Sequence, residues 1–463
     1  MQNLDTIFQA QQNNRWAMAQ TTFKERKTLL RALKKEIILR REEIKEALYQ
    51  DFRKPYAESE LTEIHTSIDE INFSLSHLKK WMKPKKVKTP LVLMGSKSYI
   101  EYTAKGVVLV LAPWNYPFQL LINPLVAAIA AGNCVIARPS EKTPATAAIL
   151  EKIISTVFPA NVATVVVGEI ELAEKLLKLP FDHIFFTGST NVGKKVMQAA
   201  AVNLTPVTLE LGGKTPVIID YDVNLEDCVQ KVFWGKFMNA GQTCVAPDYV
   251  YIHEKHKARF IELFKAEIEK RFGESSSERL NSKDFARIVD VAAFQRLAGK
   301  LEGEKNLLND DSVEGDRYIA PTLLTDVRVD SPVMQDEIFG PILPLLTYVN
   351  VDTVIDYINR NTKPLALYIF TKRNIFIEKV LENTTSGGVA INHVVLHLAN
   401  PHLPFGGVGH SGMGSYHGEF GFKTFSHERS VMKQGRFTMS KLYFPPYNTF
   451  MSKMAFRILR WLE

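Results

Sequence analysis

The chain has 463 residues, of which 46% are hydrophobic, and its 57 Lys and Arg against 50 Asp and Glu give a net charge of +7. This composition excludes a disordered protein, and the length provides for about two to three domains with their own cores. No basic segment leads into an apolar one at the N-terminus, and no run of about 18 apolar residues occurs, so we expect neither a secretory signal nor a membrane span.

The cysteines and the charge pattern limit which kinds of site, compartment and partner we expect for this protein. Three cysteines without a Cys-x-x-Cys pair argue against a disulfide framework and against a zinc site, and they predict a reducing compartment, the cytoplasm. The excess positive charge is concentrated around residues 79–88 and at the C-terminus. No recognised binding motif accompanies it, so we expect no nucleic-acid partner.

The order of predicted elements indicates an α/β fold. Residues 1–80 have the charge-rich spacing of amphipathic helices, which we expect to cover a sheet. Strands are predicted over 107–111, 134–137, 164–167 and 183–186, with helices through 131 and over 143–157 and 169–178 between them. Strands that alternate with helices in this way form a parallel sheet.

Polar residues follow the first two of these strands, at the sheet edge where ligands bind in parallel sheets. Asn115, in the segment Pro113-Trp114-Asn115-Tyr116-Pro117, offers amide N–H donors to an oxyanion. Arg138 and Glu141 follow the next strand and are suited to hold ribose hydroxyls. A helix cap followed by a surface ion pair is the alternative interpretation of these two residues.

A glycine turn follows the fourth strand. Gly188 and Ser189 lead into a helix that contains Gly193. Free N–H groups and the helix dipole at such a start favour an anionic pyrophosphate. The spacing is not G-x-G-x-x-G, so an ordinary N-capped helix remains the alternative.

A nucleophile and a base follow in the chain. Glu210 lies between Leu209 and Leu211, and a desolvated carboxyl there has a raised pKa that suits a general base. Cys244 lies in a small, polar loop at a helix-to-strand junction, whereas Cys134 and Cys228 lie in apolar runs typical of the core. A buried, inert thiol is the alternative for Cys244.

The C-terminal segment predicts an amphipathic helix, with basic residues at helical spacing opposite an apolar face. This helix either contacts a membrane surface peripherally or docks on the body of the protein. The basic residues are Lys453, Arg457 and Arg460, and the apolar ones are Phe450, Met454, Ile458, Leu459 and Leu462.

Taken together, the motifs resemble the aldehyde dehydrogenase superfamily over essentially the whole chain, and the segment 405–418 resembles its class 3 branch, which acts on medium-chain, long-chain and aromatic aldehydes. The motifs occur in the family order: Pro-Trp-Asn at 113, Pro-Ser-Glu at 139, Phe-Thr-Gly-Ser at 186, Leu-Glu-Leu-Gly-Gly-Lys at 209, Gly-Gln-Thr-Cys at 241, Glu-Ile-Phe-Gly-Pro at 337 and Pro-Phe-Gly-Gly at 404.

The resemblance implies an aldehyde dehydrogenase-like α/β fold with two parallel-sheet Rossmann-type domains and a small β bridging or oligomerisation element that pairs in a homodimer. The expected division is 1–83 and 104–208 for the NAD(P)-binding domain, 209–395 for the catalytic domain, 84–103 and 396–430 for the bridging element, and 431–463 for a tail with the amphipathic helix. Within the bridge we expect a hairpin over 87–102 and a strand over 423–427.

The resemblance also implies a mechanism for aldehyde oxidation. Cys244 attacks the aldehyde carbon, while the Asn115 side chain and the Cys244 backbone N–H hold the oxyanion. Glu210 then activates the water that hydrolyses the resulting thioester to the carboxylic acid. A CoA-acylating enzyme, which typically lacks this base, and a non-catalytic binding or structural protein are the alternatives.

The cofactor implied is NAD as the primary one, with NADP usable. Arg138 stands where relatives usually have a lysine and its planar fork suits a 2′-phosphate, but Glu141 would repel that phosphate. The cofactor-binding residues are expected to be Trp114, Arg138, Glu141, Gly188, Ser189, Gly193, Leu211, Glu337 and Phe339.

Two further predictions concern the substrate side. His393 and His397 have i, i+4 spacing, but no third ligand or His-Glu-x-x-His pattern accompanies them, so we expect no metal. The neighbouring residues 396–404 are expected to line the substrate mouth or a dimer contact. Tyr116, Phe118 and Trp234 are candidates for an apolar substrate tunnel.

Overall fold

The computed structural model of the chain describes residues 4–90, 93–308, 310–436 and 444–461. The N-terminal part is helical, as the sequence predicts, because apolar residues such as Leu30, Leu33 and Ile37 recur on one face and are fully buried. A capping box between Thr22 and Glu25 begins the second helix. These elements are α1 (Leu4–Ala19), α2 (Phe23–Leu39), α3 (Arg41–Phe52), α4 (Tyr56–Ser59), a π-helical turn (Glu60–His65) and α5 (Thr66–Trp81).

The middle of the chain alternates strands and helices, with a two-residue strand and a nine-residue strand before the alternation begins. The element after β3 is apolar on every side and correspondingly buried throughout. In chain order these are β1 (Lys85–Lys86), β2 (Ser96–Ala104), β3 (Val107–Leu111), α6 (Gln119–Ala131), β4 (Cys134–Arg138), α7 (Pro144–Val157), β5 (Ala163–Val165), α8 (Ile170–Leu176), β6 (His183–Thr187), α9 (Thr190–Ala201) and β7 (Val207–Glu210).

A second alternation follows, and it ends in a short mixed segment and a terminal helix. The elements are β8 (Pro216–Ile219), α10 (Leu225–Phe237), a 3₁₀ turn (Met238–Gly241), β9 (Tyr249–His253), α11 (Lys257–Phe272), α12 (Ser276–Asn281), α13 (Val291–Gly299), β10 (Thr322–Thr325), α14 (Pro332–Gln335), β11 (Ile342–Tyr348), α15 (Val351–Arg360), β12 (Ala366–Phe370), α16 (Asn374–Asn383), β13 (Gly388–Ile391), β14 (Gly412–Met413), α17 (Gly418–Thr424), β15 (Ser426–Gln434) and α18 (Phe450–Trp461).

The strands form two six-stranded sheets, which confirms the predicted α/β class. The first has the order β14-β7-β6-β3-β4-β5, parallel except for β14. The second has the order β10-β11-β9-β8-β12-β13 and is parallel throughout. In the first sheet the chain moves outward from β3 to β5 and then returns to β6 and β7 on the other side. The reversal between β3 and β6 is a topological switch point, where α/β sheets bind ligands.

A third, antiparallel sheet has the order β1-β2-β15. A hairpin forms close to the predicted range 87–102, but its first strand, Lys85–Lys86, ends before residue 87, and residues 91 and 92 lie outside the described residues. The prediction of a strand over 423–427 was wrong in its start, because Lys423 belongs to α17 and the strand is Ser426–Gln434. This strand continues beyond residue 430, and β14 joins the first sheet although it falls within the range 396–430 assigned above to the bridge.

The C-terminal helix α18 forms where the sequence predicts it, and its apolar side chains stay largely in contact with solvent. Phe450 is 80% exposed and Phe456 is 42% exposed, while Ser452 and Ala455 are buried. Ser452 bonds to Thr449 and Pro446, in the turn just before the helix. Leu462 and the side chain of Ile458, which the sequence assigned to the apolar face, lie outside the described residues. In the described part of the chain, no helix has the length and apolar character needed to cross a bilayer.

Candidate active site

The carboxyl edge of the first sheet faces the amino edge of the second. Asn115 follows β3 and Glu210 ends β7, while Cys244 precedes β9 and Glu337 precedes β11. The Asn115 side-chain nitrogen donates to the Gln242 carbonyl at 3.1 Å, which joins the loop after β3 to the loop before β9. A side chain at Gly212 would collide with the Glu337 carboxylate, so that carboxylate lies directly against the loop after β7. The four residues therefore converge from segments up to 222 residues apart in sequence.

The loop that carries Cys244 begins with a strained turn. Asn239 and Ala240 have left-handed backbone angles, with φ of 55° and 51°, which are unfavourable for a residue with a Cβ. Gly241 is also left-handed, and a Cβ there would collide with the Gly340 carbonyl oxygen. The turn therefore requires a glycine at 241, and its neighbours must hold the two preceding residues in place.

Cys244 is partly exposed at the helix-to-strand junction, as predicted, whereas Cys134 and Cys228 are buried. Burial, together with the smaller effect of the negative charges of Glu337 and Glu210, raises the pKa of the Cys244 thiol to about 12. Hydrogen bonds from the backbone N–H groups of Cys244 and Val245 lower this pKa, but by less. With so high a pKa the thiol is protonated at neutral pH, and it needs a neighbouring base to become a nucleophile.

Glu210 has the environment that the sequence predicts for a base. Its side chain is 3% exposed, and neither carboxyl oxygen has a hydrogen-bond partner among the described residues. Burial raises its pKa well above the ordinary value of 4.5. The pKa of Glu337 is raised to about 8, chiefly by burial and then by the charge of Asp248. Two carboxyls with elevated pKa thus lie close enough to Cys244 to affect its ionisation.

Asn115 is held between the two loops. Besides its bond to Gln242, it accepts a bond at its backbone oxygen from the Asn239 side chain at 2.8 Å. The next residue, Tyr116, shares a 2.7 Å hydrogen bond between its hydroxyl and that of Thr243. An Asn side-chain amide has two N–H groups, and the Gln242 bond uses one of them.

Two of the predicted cofactor residues, Arg138 and Glu141, lie at the end of β4, the strand next to the switch point of the first sheet. Arg138 donates to Glu141 at 2.6 Å and to the Gly168 carbonyl at 2.9 Å, and its buried Nε has no partner among the described residues. The internal ion pair is the alternative that the sequence left open. The Arg138 Nε is nevertheless a buried donor that a ligand hydroxyl could satisfy by accepting its hydrogen bond.

The turn after β6 begins an N-capped helix, which is the alternative that the sequence left open for this turn. Ser189 caps α9 by accepting the Val192 N–H at 3.4 Å. A Cβ at Gly193 would collide with Leu211, so helix and strand approach closely. Trp114 packs edge-on against Phe339, with ring centroids 5.3 Å apart, at the opening between the two sheets.

The N-terminal helices contribute charged residues next to this site, which their sequence pattern does not indicate. Lys54 and Glu63 are fully buried and paired at 2.7 Å, and Glu58 accepts the Asn239 N–H at 2.8 Å. Residues 1–80 were predicted only as a cover. The sequence offers little signal for this role, because the positions three and four residues from Glu63 are all polar: Ser59, Glu60, Thr66 and Ser67.

The substrate-side predictions have mixed outcomes. Phe118 is fully buried in the core and is not exposed to a tunnel, while Trp234 is 39% exposed and packs against His393. The ring of His397 lies between Tyr368 and Phe405, and neither of its nitrogens has a partner among the described residues. Across the described ranges, no group of three or more His, Cys, Asp and Glu side chains is arranged to hold a metal ion.

A small cavity of about 90 Å³ lies between α5, α6 and the loop 396–401. Its lining mixes apolar and polar side chains. The lining residues are Thr66, Asp69, Glu70, Gln119, Asn123, Leu398, Ala399, Pro401 and His417.

Comparison with known proteins gives consistent matches. The sequence model of the aldehyde dehydrogenase family matches residues 2–431. The chain is 46% identical to "4,4'-diaponeurosporen-aldehyde dehydrogenase" of Staphylococcus aureus over 91% of this chain and 92% of that protein. It is 44% identical to "Aldehyde dehydrogenase family 3 member A2" of Macaca fascicularis over 90% of this chain and 86% of that protein. The solved structure "Substrate bound state of Staphylococcus Aureus AldH" superposes with a TM-score of 0.94 at 44% identity and covers 98% of this chain and 100% of that one.

Proposed function

The chain belongs to the aldehyde dehydrogenase family and oxidises aldehydes to carboxylic acids, and we propose that Cys244 is its nucleophile, Glu210 its hydrolytic base and Asn115 its oxyanion donor. The observation that carries this assignment is the buried Glu210 carboxyl, which has no hydrogen-bond partner among the described residues and acts on the ionisation of Cys244. A carboxyl buried without a partner destabilises the fold, so its presence beside a thiol is best explained by function.

Cys244, Asn115 and Glu210 each have a separate role in the reaction. The Cys244 sulfur attacks the aldehyde carbon, and its proton passes to a nearby carboxyl with elevated pKa. The carbonyl oxygen becomes an oxyanion, which the second Asn115 N–H and the Cys244 backbone N–H stabilise. A bound nicotinamide cofactor supplies the hydride acceptor. Glu210 then takes a proton from the water that attacks the Cys244 thioester, so the acid leaves and the thiol is restored. CoA-acylating enzymes typically lack this base, which disfavours that alternative.

The enzyme uses NAD or NADP, and NAD is the proposed primary cofactor. The buried Arg138 Nε, which has no hydrogen-bond partner among the described residues, fits a ribose hydroxyl, and the remaining N–H groups at the start of α9 fit a pyrophosphate. Trp114, Gly188, Gly193, Leu211 and the opposing Glu337 and Phe339 would enclose the rest of the dinucleotide. Glu141 accepts from Arg138 and would also accept from a ribose hydroxyl, whereas it would repel a 2′-phosphate.

The proposed substrates are medium-chain and long-chain aliphatic or aromatic aldehydes. The two relatives named above are an aldehyde dehydrogenase of a carotenoid-type aldehyde and a family 3 member. The cavity beside the loop 396–401 touches the segment 396–404 that is proposed to line the substrate mouth. Leu398, Ala399 and Pro401 give one part of its wall an apolar surface, which suits the hydrocarbon part of a substrate, while its other six lining residues are polar or charged.

The proposed assembly is a homodimer. Strand β15 pairs with β2 on one side, and its residues after Ser426 are mostly exposed. An edge strand of this length is suited to pair with a partner strand. We retain the division of the chain given above, with β14 assigned to the first sheet, as the proposed domain organisation.

The proposed location is the cytoplasm, with peripheral membrane contact through α18. All three cysteines are free, and a catalytic thiol works best in a reducing compartment. The exposed Phe450, Met451 and Phe456 and the basic Lys453 and Arg457 share one helix, an arrangement typical of helices that lie at a membrane surface.

The experiment that tests the function is NADH formation by the purified protein with aldehydes of increasing chain length and with benzaldehyde. Activity that rises with chain length and is lost in Cys244→Ala is expected. Cys228→Ala is the matched control, since it removes a thiol from the core, and it should keep its activity wherever it folds. Activity that survives in Cys244→Ala would refute the assignment of the nucleophile.

A further inference from the structure

Three charged residues of the N-terminal segment lie beneath the two loops of the active site. Lys54 and Glu63 are both 0% exposed, and the Lys54 Nζ is 2.7 Å from a Glu63 carboxyl oxygen. Glu58 lies between them in the chain and is partly buried. Removing two charges from water is costly, so a buried ion pair is weak evidence for stability and calls for another explanation.

Glu63 fixes the loop that carries Asn115. Its second carboxyl oxygen accepts the backbone N–H groups of Phe118 at 3.2 Å and Gln119 at 2.9 Å. These groups begin the 13-residue helix α6, three and four residues after Asn115. A carboxylate at a helix start satisfies free N–H groups and interacts favourably with the helix dipole. The position of the Asn115 loop therefore depends on Glu63.

Lys54 reaches the cysteine loop through Tyr116. Its Nζ lies 3.8 Å from the centroid of the Tyr116 ring, a cation–π contact in a buried site. The Tyr116 hydroxyl then shares a 2.7 Å hydrogen bond with the Thr243 hydroxyl, one residue before Cys244. The Lys54–Glu63 pair thus contacts the Asn115 loop directly and reaches the cysteine loop through the hydrogen bond between Tyr116 and Thr243.

Glu58 contacts the strained turn directly. Its carboxyl accepts the Asn239 N–H at 2.8 Å. The Asn239 side chain in turn donates to the carbonyls of Asn115 at 2.8 Å and Gln242 at 3.2 Å. Two residues with a Cβ hold left-handed angles here, and strained turns persist only where surrounding contacts impose them. Glu58 supplies one of these contacts from outside the turn.

We propose that Lys54, Glu58 and Glu63 are positioning residues, which set the placement of the Asn115 side chain relative to the Cys244 thiol. The inference rests on the proposed roles of Asn115 and Cys244. It assigns to the helical cover a part in the chemistry, through contacts with both loops of the site. None of the three residues has to touch the substrate for this role.

The test compares Glu58→Ala with Glu58→Gln. Because an amide oxygen still accepts the Asn239 N–H, Glu58→Gln should keep most of the activity. Glu58→Ala should lower kcat by about 10- to 100-fold, the effect of a misplacement of roughly 1 Å, with the KM for NAD unchanged. Equal loss of kcat in both variants would overturn the proposal, because the hydrogen bond would then not be the cause.

A second variant and a control separate positioning from stability. Lys54→Met/Glu63→Gln removes the pair without leaving a buried charge, and it should lower kcat similarly because the contact with Tyr116 is lost. Asp310→Asn breaks the buried ion pair between Asp310 and Arg279, in which nitrogen and oxygen are 2.6 Å apart. Among the described residues, Arg279 otherwise donates only to the backbone carbonyls of Gly273 and Glu274, so this pair does not contact the loops of the active site. This control should lower the melting temperature and leave kcat unchanged. A double variant that loses only melting temperature would show that the pair is merely structural.

A direct readout does not depend on turnover. The rate of Cys244 alkylation by iodoacetamide, in protein without aldehyde or cofactor, should change by about an order of magnitude in Glu58→Ala and remain near the wild-type rate in Glu58→Gln. An unchanged rate in Glu58→Ala would overturn the proposal. Wild-type protein that forms no NADH would instead refute the proposed function, while the alkylation rates would still test positioning.

Discussion

At neutral pH, the ionisable Glu210 carboxyl should lower the free energy of unfolding of the enzyme compared with the variant Glu210→Gln. Burial raises its folded-state pKa well above 4.5, so the folded protein binds the proton more tightly than the unfolded chain does. The free energy of unfolding therefore falls as the pH rises from 4.5 to the folded-state pKa, by about 1.4 kcal/mol per pH unit, and is constant above it. Below pH 4.5 the penalty is absent. Glu210→Gln does not ionise and escapes it.

The loss of stability caused by Glu210 can be measured by thermal unfolding between pH 4.5 and 8. For 463 residues the unfolding entropy is about 1 kcal/mol/K, so each pH unit of penalty corresponds to a difference in Tm of about 1.4 °C. The Tm of Glu210→Gln relative to wild type should rise with pH at this slope. Glu278→Gln is the control without a slope, because the Ser275 and Glu274 N–H groups lower the pKa of the exposed Glu278, so its contribution to stability is complete above pH 4.5 and changes only below that range. A Tm difference for Glu210→Gln that does not vary with pH would refute the reasoning.

Glu210→Gln should also be nearly inactive in steady-state turnover. Thioester hydrolysis would lose its base, which lowers kcat by roughly 10²- to 10⁴-fold. Acylation of Cys244 does not require that step, so a burst of NADH equal to one turnover should remain. A stabilising substitution that abolishes turnover is what a stability–activity trade-off predicts. Full turnover without a burst would show that another group is the base.

Three further predictions concern the thiol, the cofactor and the tail. With a pKa of about 12, only about 1 in 10⁵ of the Cys244 thiols is ionised at pH 7, so its alkylation rate in the empty enzyme should rise about tenfold per pH unit from 7 to 10; a plateau below pH 9 would contradict this. Glu141→Ala should shift the NADP-to-NAD ratio of kcat/KM upward by about tenfold, the effect of one charge-assisted hydrogen bond, and an unchanged ratio would show that Glu141 does not discriminate. Phe450→Ser/Phe456→Ser should reduce sedimentation with anionic liposomes, whereas Leu204→Ser, at a residue 90% exposed elsewhere, should not; equal binding by all three proteins would exclude α18 as the contact.

The sequence by itself predicts the elements and the edge of the sheet where the chemistry lies. Strands 107–111 and 183–186 are recognisable because each is a short apolar run bounded by turn residues, which is a local property. Asn115, Arg138 and Gly188 follow such strands directly, so their common edge can be inferred once the strands are parallel. The strand after residue 423 was misplaced, since the exposed β15 has no alternating apolar pattern to mark its start.

Only the tertiary structure decides which distant residues meet. Lys54 and Glu63 approach Asn115 across more than 50 residues, and Glu58 meets Asn239 across 181. Their helices show in sequence only which face is apolar, and a charged residue on that face does not reveal its partner. The pKa values of Glu210, Glu337 and Cys244 likewise depend on burial by segments far apart in the chain. Local periodicity determines the elements, whereas desolvation and charge proximity arise only when the elements pack.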